Sequence, residues 1–229
     1  MSWFTNFLTS SIGQKVVMSL TGLFLIVFLI VHLTGNLQLL AGDGGKAFNI
    51  YAEFMTTNPL IKTTSYLLYA GILLHAIQGW ALWRQNRKAR GPHRYAVKVN
   101  RVAGTNSFAA SNMAWLGTII FVFIVVHMYQ FWLQMKLGDV QMVTYDGKEV
   151  ANLYALVSAT YENLGFVIFY VVSMIVIAYH LLHGFQSAFQ TLGLNHRKYT
   201  PFIKGVGKVY AILVPLGFAI IPIIMYLNQ

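Results

Sequence analysis

Apolar positions in this chain neither alternate, as in a half-buried strand, nor fall on one helical face, as in a soluble amphipathic helix. They run on without a polar face. Five such runs, at residues 16–40, 60–83, 113–137, 164–189 and 206–227, each reach the ~20 residues that a helix needs to cross a bilayer. No Lys, Arg, Asp or Glu stands well inside any of them; Lys62 and Lys208 lie near ends. The fifth run carries Pro215 and Pro222, which a membrane helix tolerates as kinks because neighbouring helices re-satisfy the freed backbone groups. The pattern predicts an all-α integral membrane bundle of five transmembrane helices. With no internal repeat and no low-complexity segment, residues 1–229 read as one domain.

Composition agrees. Hydrophobic residues make up 57% of the chain and charged residues 10%, where a soluble domain carries ~25% charged. There is no cysteine, which excludes disulfides, thiolate-ligated iron–sulfur clusters and thioether-attached haem within this chain. Redox chemistry here would have to use histidine ligands. The segment before the first run, MSWFTNFLTSSIGQK, has no basic region leading into a short apolar core, and no small-residue cleavage site follows. The first run therefore reads as a retained helix rather than a signal peptide.

Charge sets the expected orientation. The connection from Arg84 to Arg101 holds seven Lys/Arg and no acid, the connection from Gln190 to Lys208 holds four and no acid, and Lys15 precedes the first run. All six acids (Asp43, Glu53, Asp139, Asp146, Glu149 and Glu162) lie in the other two connections. The positive-inside rule then predicts a cytoplasmic N-terminus and a periplasmic C-terminus, which an odd number of spans also requires. The basic face serves topology, and it also suits an acidic cytoplasmic partner or anionic lipid headgroups. A net charge of +10 would suggest nucleic acid in a soluble chain; set against a membrane, it does not.

Five of the seven histidines (His32, His75, His127, His180 and His183) fall inside the runs, while His93 and His196 sit in the basic connections and read as solvated. Ionisable groups within a bilayer are costly and usually face a partner or cofactor. A lone histidine would be explained by a hydrogen bond to a neighbouring helix; four helices that each carry one call for more. Counting at ~1.5 Å per residue, His75 and His180 lie in the inner half, about nine and ten residues from the inner ends of their runs. His32 and His127 lie in the outer half, about seventeen and fifteen residues along. Two bis-histidine haems b, one at each level, fit this placement, since neutral imidazole is a common axial ligand of haem iron. A cytochrome b of the bc type is not indicated, because its helices each donate two ligands some thirteen or fourteen residues apart and no run here holds such a pair.

Glycines accompany the histidines. Gly79 and Gly184 follow His75 and His180 by four residues, on the same helix face, where a missing side chain lets a flat ring approach the backbone. Gly22 and Gly117 stand ten residues before His32 and His127 and so reach the inner level. Close helix packing is the competing explanation for each. His183, three residues from His180, competes as a ligand but ranks second, because Gly184 would then adjoin the ligand instead of lying a turn beyond it.

These residues carry a resemblance to the cytochrome b anchor subunit of succinate dehydrogenase and quinol:fumarate reductase, of the single-chain, five-helix, two-haem kind. Its marks are KVVMSLTGLFL, HLTGN around His32, AFNIYAEFM, HAIQG around His75, and His180 with Gly184, and it covers nearly the whole chain. The resemblance implies axial ligation by His75 and His180 at an inner haem and by His32 and His127 at an outer one. It implies a flavoprotein and an iron–sulfur protein docked on the cytoplasmic face, with succinate bound there and not in this chain. Electrons would pass through the haems to a quinone, usually menaquinone, in a bacterial cytoplasmic membrane. Some fumarate-reducing members have a glutamate two residues before the helix-four ligand; here Ala178 occupies that position, which favours succinate oxidation. Glu53 stands where some members have a glutamate at the menaquinone site, and a carboxylate there would carry protons to the reduced quinone. The plainer reading of Glu53 is a solvated loop acid, and an inner quinone site lined by Trp80, Trp83 and Arg84 is the competing placement.

Two other readings use the same residues. One is the haem b, quinone-reactive anchor of a hydrogenase or formate dehydrogenase, which shares embedded histidines but distributes them differently over the helices. The other is a haem-free transporter or structural protein whose histidines are packing groups.

Overall fold

The computed structural model describes residues 2–91 and 107–229. Among these residues, five helices are long and apolar enough to cross a membrane, spanning Ser11–Leu40, Pro59–Arg90, Phe108–Leu137, Leu164–Thr191 and Thr200–Leu227. They contain all five apolar runs and extend past them, most of all at Arg84–Arg90, where a basic turn continues the second helix beyond its apolar part.

In chain order, a short helix α1 (Trp3–Thr9) turns at Ser10 into α2 (Ser11–Leu37). The Ser10 hydroxyl caps α2 by accepting from the Gly13 N–H at 3.0 Å, satisfying one of the donors that every helix start leaves free. A single 3₁₀ turn, Gln38–Leu40, leads to a glycine-rich loop and α3 (Lys46–Thr57). Asp43 caps this helix, accepting from Gly45 N–H at 3.0 Å and Ala47 N–H at 2.8 Å. Gly45 has φ +87° and no room for a Cβ, because the Tyr154 ring lies against it. Next, α4 (Pro59–Arg90) begins on an Asn58 cap with Pro59 in its first turn, where the missing N–H costs nothing.

Helix α5 (Ser107–His127) passes through a π-helical turn, Met128–Leu133, into α6 (Gln134–Leu137) as one continuous span. A hairpin follows, β1 (Met142–Tyr145) and β2 (Lys148–Ala151), paired antiparallel. Asp146 and Gly147 both have positive φ at its turn, as a two-residue type I′ turn requires. After α7 (Leu153–Tyr161) come the last two spans, α8 (Leu164–Thr191) and α9 (Thr200–Leu227). Among the described residues the regular structure is all-α apart from this hairpin.

Long connections pack at one end of the bundle. Asn49 on α3 is fully buried and ties them together: its Nδ2 donates to Tyr145 Oη and Asn152 Oδ1, both at 3.1 Å, and its Oδ1 accepts from Tyr154 N–H at 2.8 Å. Lys46 pairs with Asp146 at 2.9 Å and Lys148 with Glu53 at 3.8 Å. The bonded Asp146 carboxylate pushes the Lys46 ammonium up. The C-terminus reaches the same end, where Gln229 donates to the Ser158 carbonyl. We call this the capped end. At the basic end, Gln85 on α4 donates to Gln14 at the start of α2 at 2.9 Å.

Packing is tightest around α8 and α9, whose buried residues include Tyr170, Met174, Leu181, Phe185, Ile221 and Met225. Pro215 and Pro222 are both buried in α9. Outward-facing Leu, Ile, Val and Phe are widely exposed, as on α4 at Leu67, Leu73 and Ile77. This is what a helix does when its outer surface meets lipid tails rather than water.

Candidate functional site

A large cavity of about 3570 Å³, open at its sides past exposed residues such as Val27, Ile77 and Trp115, lies between α2, α4, α5 and α8. Pockets for drug-sized ligands run to ~300–1,000 Å³, so this space exceeds one small molecule several-fold. All five embedded histidines are on its wall, and so are Gly22, Gly79, Gly117 and Gly184.

The histidines meet as two pairs. His32 on α2 faces His127 on α5, with ring centroids 5.8 Å apart and planes at 86°. His75 on α4 faces His180 on α8, with centroids 6.3 Å apart and planes at 66°. These are the pairs expected from depth along the sequence. Their separation follows from helix geometry. Thr21 on α2 contacts His75, and His32 lies eleven residues further on, or ~16 Å at ~1.5 Å per residue. On α8, Tyr170 contacts His127, and His180 lies ten residues on, ~15 Å. Two helices thus independently set the levels about one half-bilayer apart.

The two levels are built differently. The His32–His127 pair, toward the capped end, sits in an aromatic box. Phe28 stacks on His32 at 5.1 Å and Phe218 leans on it at 5.5 Å, while Phe123 and Phe131 flank His127 at 5.8 and 5.3 Å. Asn36 donates to the His32 carbonyl at 2.8 Å and lies 3.4 Å from His32 Nδ1. Tyr170 donates its hydroxyl hydrogen to Gln130 Oε1 at 2.7 Å, leaving the phenol oxygen 3.5 Å from His127 Nδ1. Gln130 belongs to the π-helical turn that begins just after His127; such turns often mark functional positions in helices.

Among the described residues the His75–His180 pair has no such aromatic box. Thr21 Oγ1 stands 3.1 Å from His75 Nδ1. His180 Nδ1 is buried and has no hydrogen-bond partner, the one side-chain atom of which this holds among the described residues. A buried polar atom without a partner costs ~1–3 kcal/mol, and native chains usually keep such a group only for a use.

Among the described residues no group of three or more His, Asp or Glu is placed to hold a bare metal ion, which would call for three or four protein ligands. A pair of opposed imidazoles suits a metal whose remaining ligands come from a macrocycle. A metal–imidazole bond of ~2 Å on each face, plus ~1 Å from nitrogen to ring centre, puts axial rings roughly 6 Å apart. The observed 5.8 and 6.3 Å agree. The glycines fit as well. An added Cβ at Gly117 or Gly184 would meet nothing within 4 Å, so both open directly onto the cavity. At Gly79 it would meet only the flexible Met18 Cε, at 3.3 Å. Gly22 has another neighbour: its Cβ would press on His75 Cε1 at 3.3 Å, so this glycine makes room for the ligand ring itself.

The remaining candidates fall elsewhere. His183 lines the cavity one turn from His180 toward the basic end but is not in the facing pair. His196 is exposed, stacks on Tyr199 at 4.9 Å and accepts from Lys198 N–H at 3.2 Å. His93 lies outside the described residues, as do Arg94, Lys98 and Arg101 of the basic connection. Glu53 is partly buried on α3 and faces Lys148; its neighbours Tyr51, Ala52, Met55 and Thr56 line the cavity, and Glu53 does not. Trp80 and Trp83 do line it near the basic end, each beneath a guanidinium, Arg84 at 5.5 Å and Arg87 at 5.8 Å.

Sequence reasoning did not single out Thr21, Tyr170, Gln130 or the Asn49 clasp. The hairpin had a legible signal, Asp-Gly between alternating residues in MVTYDGKEVA. Comparisons with protein-family models, with curated proteins and with solved structures returned no match.

Proposed function

We propose that this chain is the dihaem membrane anchor of a succinate:quinone oxidoreductase, or of a fumarate reductase working in the opposite direction. It would join a flavoprotein and an iron–sulfur subunit at its basic end to quinone, menaquinone by resemblance, in a bacterial cytoplasmic membrane. One observation carries this reading: four histidines from four different helices meet as two facing pairs at two depths of one cavity.

His32 and His127 would hold one haem b and His75 and His180 the other. Bound haem b supplies a one-electron redox couple at each level. The chain's own residues bind, orient and exclude water. Phe28, Phe123, Phe131 and Phe218 shut water away from the capped-end pair. Gly117 and Gly184 keep the cavity wall clear of side chains where a flat ring would lie. Arg84, Arg87, Lys88 and Arg90, on a helical turn projecting beyond the apolar part of α4, present positive charge to an acidic partner or to lipid phosphates. Glu53 is the candidate proton carrier for quinone at the capped end, adjoining cavity-lining residues of α3.

Haem quantification on the purified full chain tests the reading, with two haems b per chain expected. His75→Ala or His180→Ala should leave one, while His183→Ala should leave both. A chain without haem, or with one, would overturn it. If His180→Ala keeps two haems and His183→Ala loses one, the α8 ligand is misassigned. Co-purification of a flavoprotein, rather than a nickel or molybdenum enzyme, separates this reading from the hydrogenase or formate dehydrogenase anchor.

A further inference from the structure

We infer that Thr21 is a positioning residue for the His75–His180 site: its hydroxyl oxygen accepts a hydrogen bond from His75 Nδ1–H and so keeps His75 Nε2 unprotonated, free to bind metal. The inference rests on the reading that this pair holds a haem.

The direction of the Thr21–His75 bond decides the tautomer. A threonine hydroxyl has one hydrogen and two lone pairs. Thr21 Oγ1 lies 2.9 Å from the Val17 carbonyl and 3.1 Å from the Met18 carbonyl, both one turn back on α2, with geometry in which it donates to them. Threonine in a helix commonly spends its hydrogen this way. The oxygen that remains, 3.1 Å from His75 Nδ1, can then only accept. Helix α2 therefore meets His75 Nδ1 with an acceptor, and that ring nitrogen must carry the proton.

Local packing supports the same role. Gly22, the next residue, lies so close to the ring that a Cβ would sit 3.3 Å from His75 Cε1 and 3.8 Å from Nδ1. Thr21 and Gly22 thus hold one ring by a polar contact and a steric one. His75 and Gly22 are on the cavity wall and Thr21 is not, so the hydroxyl acts from behind the imidazole and touches nothing that binds in front of it. The opposite ligand has no counterpart, since His180 Nδ1 finds no partner. The site is held from the α2–α4 side.

A second-layer acceptor on Nδ1–H makes an imidazole a more basic ligand, and losing such a partner typically costs ~10–100-fold in metal affinity or activity. A more basic axial ligand favours ferric over ferrous iron, so removing the acceptor should raise the midpoint potential of that haem alone.

The test compares Thr21→Val, which keeps the shape and removes the hydroxyl, with Thr21→Ser, which keeps the hydroxyl. Both are made in the full chain purified with haem. Thr21→Val should keep two haems, move one midpoint upward by up to about tenfold in the reduction equilibrium (~59 mV for one electron), and leave the other where it was. Thr21→Ser should restore the wild-type value. Loss of one haem in Thr21→Val with full content in Thr21→Ser would support the same role more strongly. Unchanged midpoints in Thr21→Val, or equal shifts in both variants, would overturn it. The tautomer is also read without haem, by nitrogen NMR of labelled His75 in the apoprotein; a proton on Nε2 there refutes the inference even if haem binds. A wild-type chain that holds no haem refutes the proposed function instead, and the NMR result still decides the hydrogen bond.

Discussion

Substitution of Gly184 separates what the protein needs for itself from what it needs for a bound ring. Nothing lies within 4 Å of a Cβ built at this position, and the residue is on the cavity wall. For the apoprotein, Gly184→Ala meets no obstacle and removes the ~0.8–1.0 kcal/mol that glycine costs in a helix interior in water. The fold should be unchanged or slightly firmer. A haem packed against this face would touch the backbone at ~3.5–4.0 Å, and a methyl group cannot share that space. Overpacking of this kind costs ~1–3 kcal/mol, which at 1.4 kcal/mol per decade weakens haem binding roughly 5- to 150-fold; Gly184→Leu should abolish it at this site. Haem per chain and helical content by circular dichroism, measured on the same detergent-purified samples, are the assay. The expected pattern is wild-type helicity throughout, haem falling from two toward one in Gly184→Leu, and full content in a control at Gly205, where an added Cβ also meets nothing within 4 Å but which is not on the cavity wall. Two haems with an unshifted spectrum in Gly184→Leu would refute the placement of a ring on this face of α8.

Other outcomes follow from the two ends of the bundle. Asn49→Leu leaves Tyr154 N–H without its acceptor, while Asn152 Oδ1 keeps Ala155 N–H; at ~1–3 kcal/mol for the lost partner the cap should loosen, seen as faster proteolysis within residues 138–152 while both histidine pairs keep their spectra. Reversing Arg84, Arg87, Lys88 and Arg90 together to Glu should release the soluble subunits from the membrane, and unchanged membrane-bound succinate dehydrogenase activity would leave that cluster a topological signal only. Glu53→Gln should abolish quinone-linked turnover while haem spectra and flavin-linked dye reduction persist. Lys148→Met should not, because an exposed ion pair contributes only ~0–1 kcal/mol; equal loss in both variants would make Glu53 a structural partner of Lys148 rather than a proton carrier.

What could be read from the chain depended on whether its signal was one-dimensional. Span number and extent follow from runs of apolar residues, and all five appear as helices. Histidine pairing was also readable, because depth along a nearly straight helix converts directly from residue count. His75 and His180 share a depth, and so do His32 and His127, and the rings meet in those pairs. Lateral relations were not readable. Nothing in the spacing says that α2 lies behind His75, so Thr21 passed as an ordinary helical threonine and Gly22 was credited to a haem surface rather than to the imidazole it adjoins. The π-helical turn after His127 has no composition of its own, and with it the Gln130–Tyr170 contact was hidden. Nothing in the sequence marks Asn49; its burial arises only when α3, the hairpin and α7 fold over one another.

The difference between the two levels is itself an argument about division of labour. At the capped end, a histidine pair is enclosed by aromatic rings and roofed by connections that Asn49 locks together. Toward the basic end, a pair is backed by one hydroxyl, His180 Nδ1 has no partner among the described residues, and the cavity wall continues past His183 to Lys15, Asn86, Arg87 and Arg90. Cations near a metal centre favour an added electron there. Two chemically identical sites in one chain would thus differ in potential through their surroundings alone, with the more easily reduced one nearer the basic surface. Electrons arriving at the basic end would find the receptive site first, and the less receptive one would stand beside the capped end, where a quinone could draw on it. The order of the two measured potentials, assigned to levels through His75→Ala and His32→Ala, tests this: a higher potential on the His32–His127 site would mean that the cations do not set the difference.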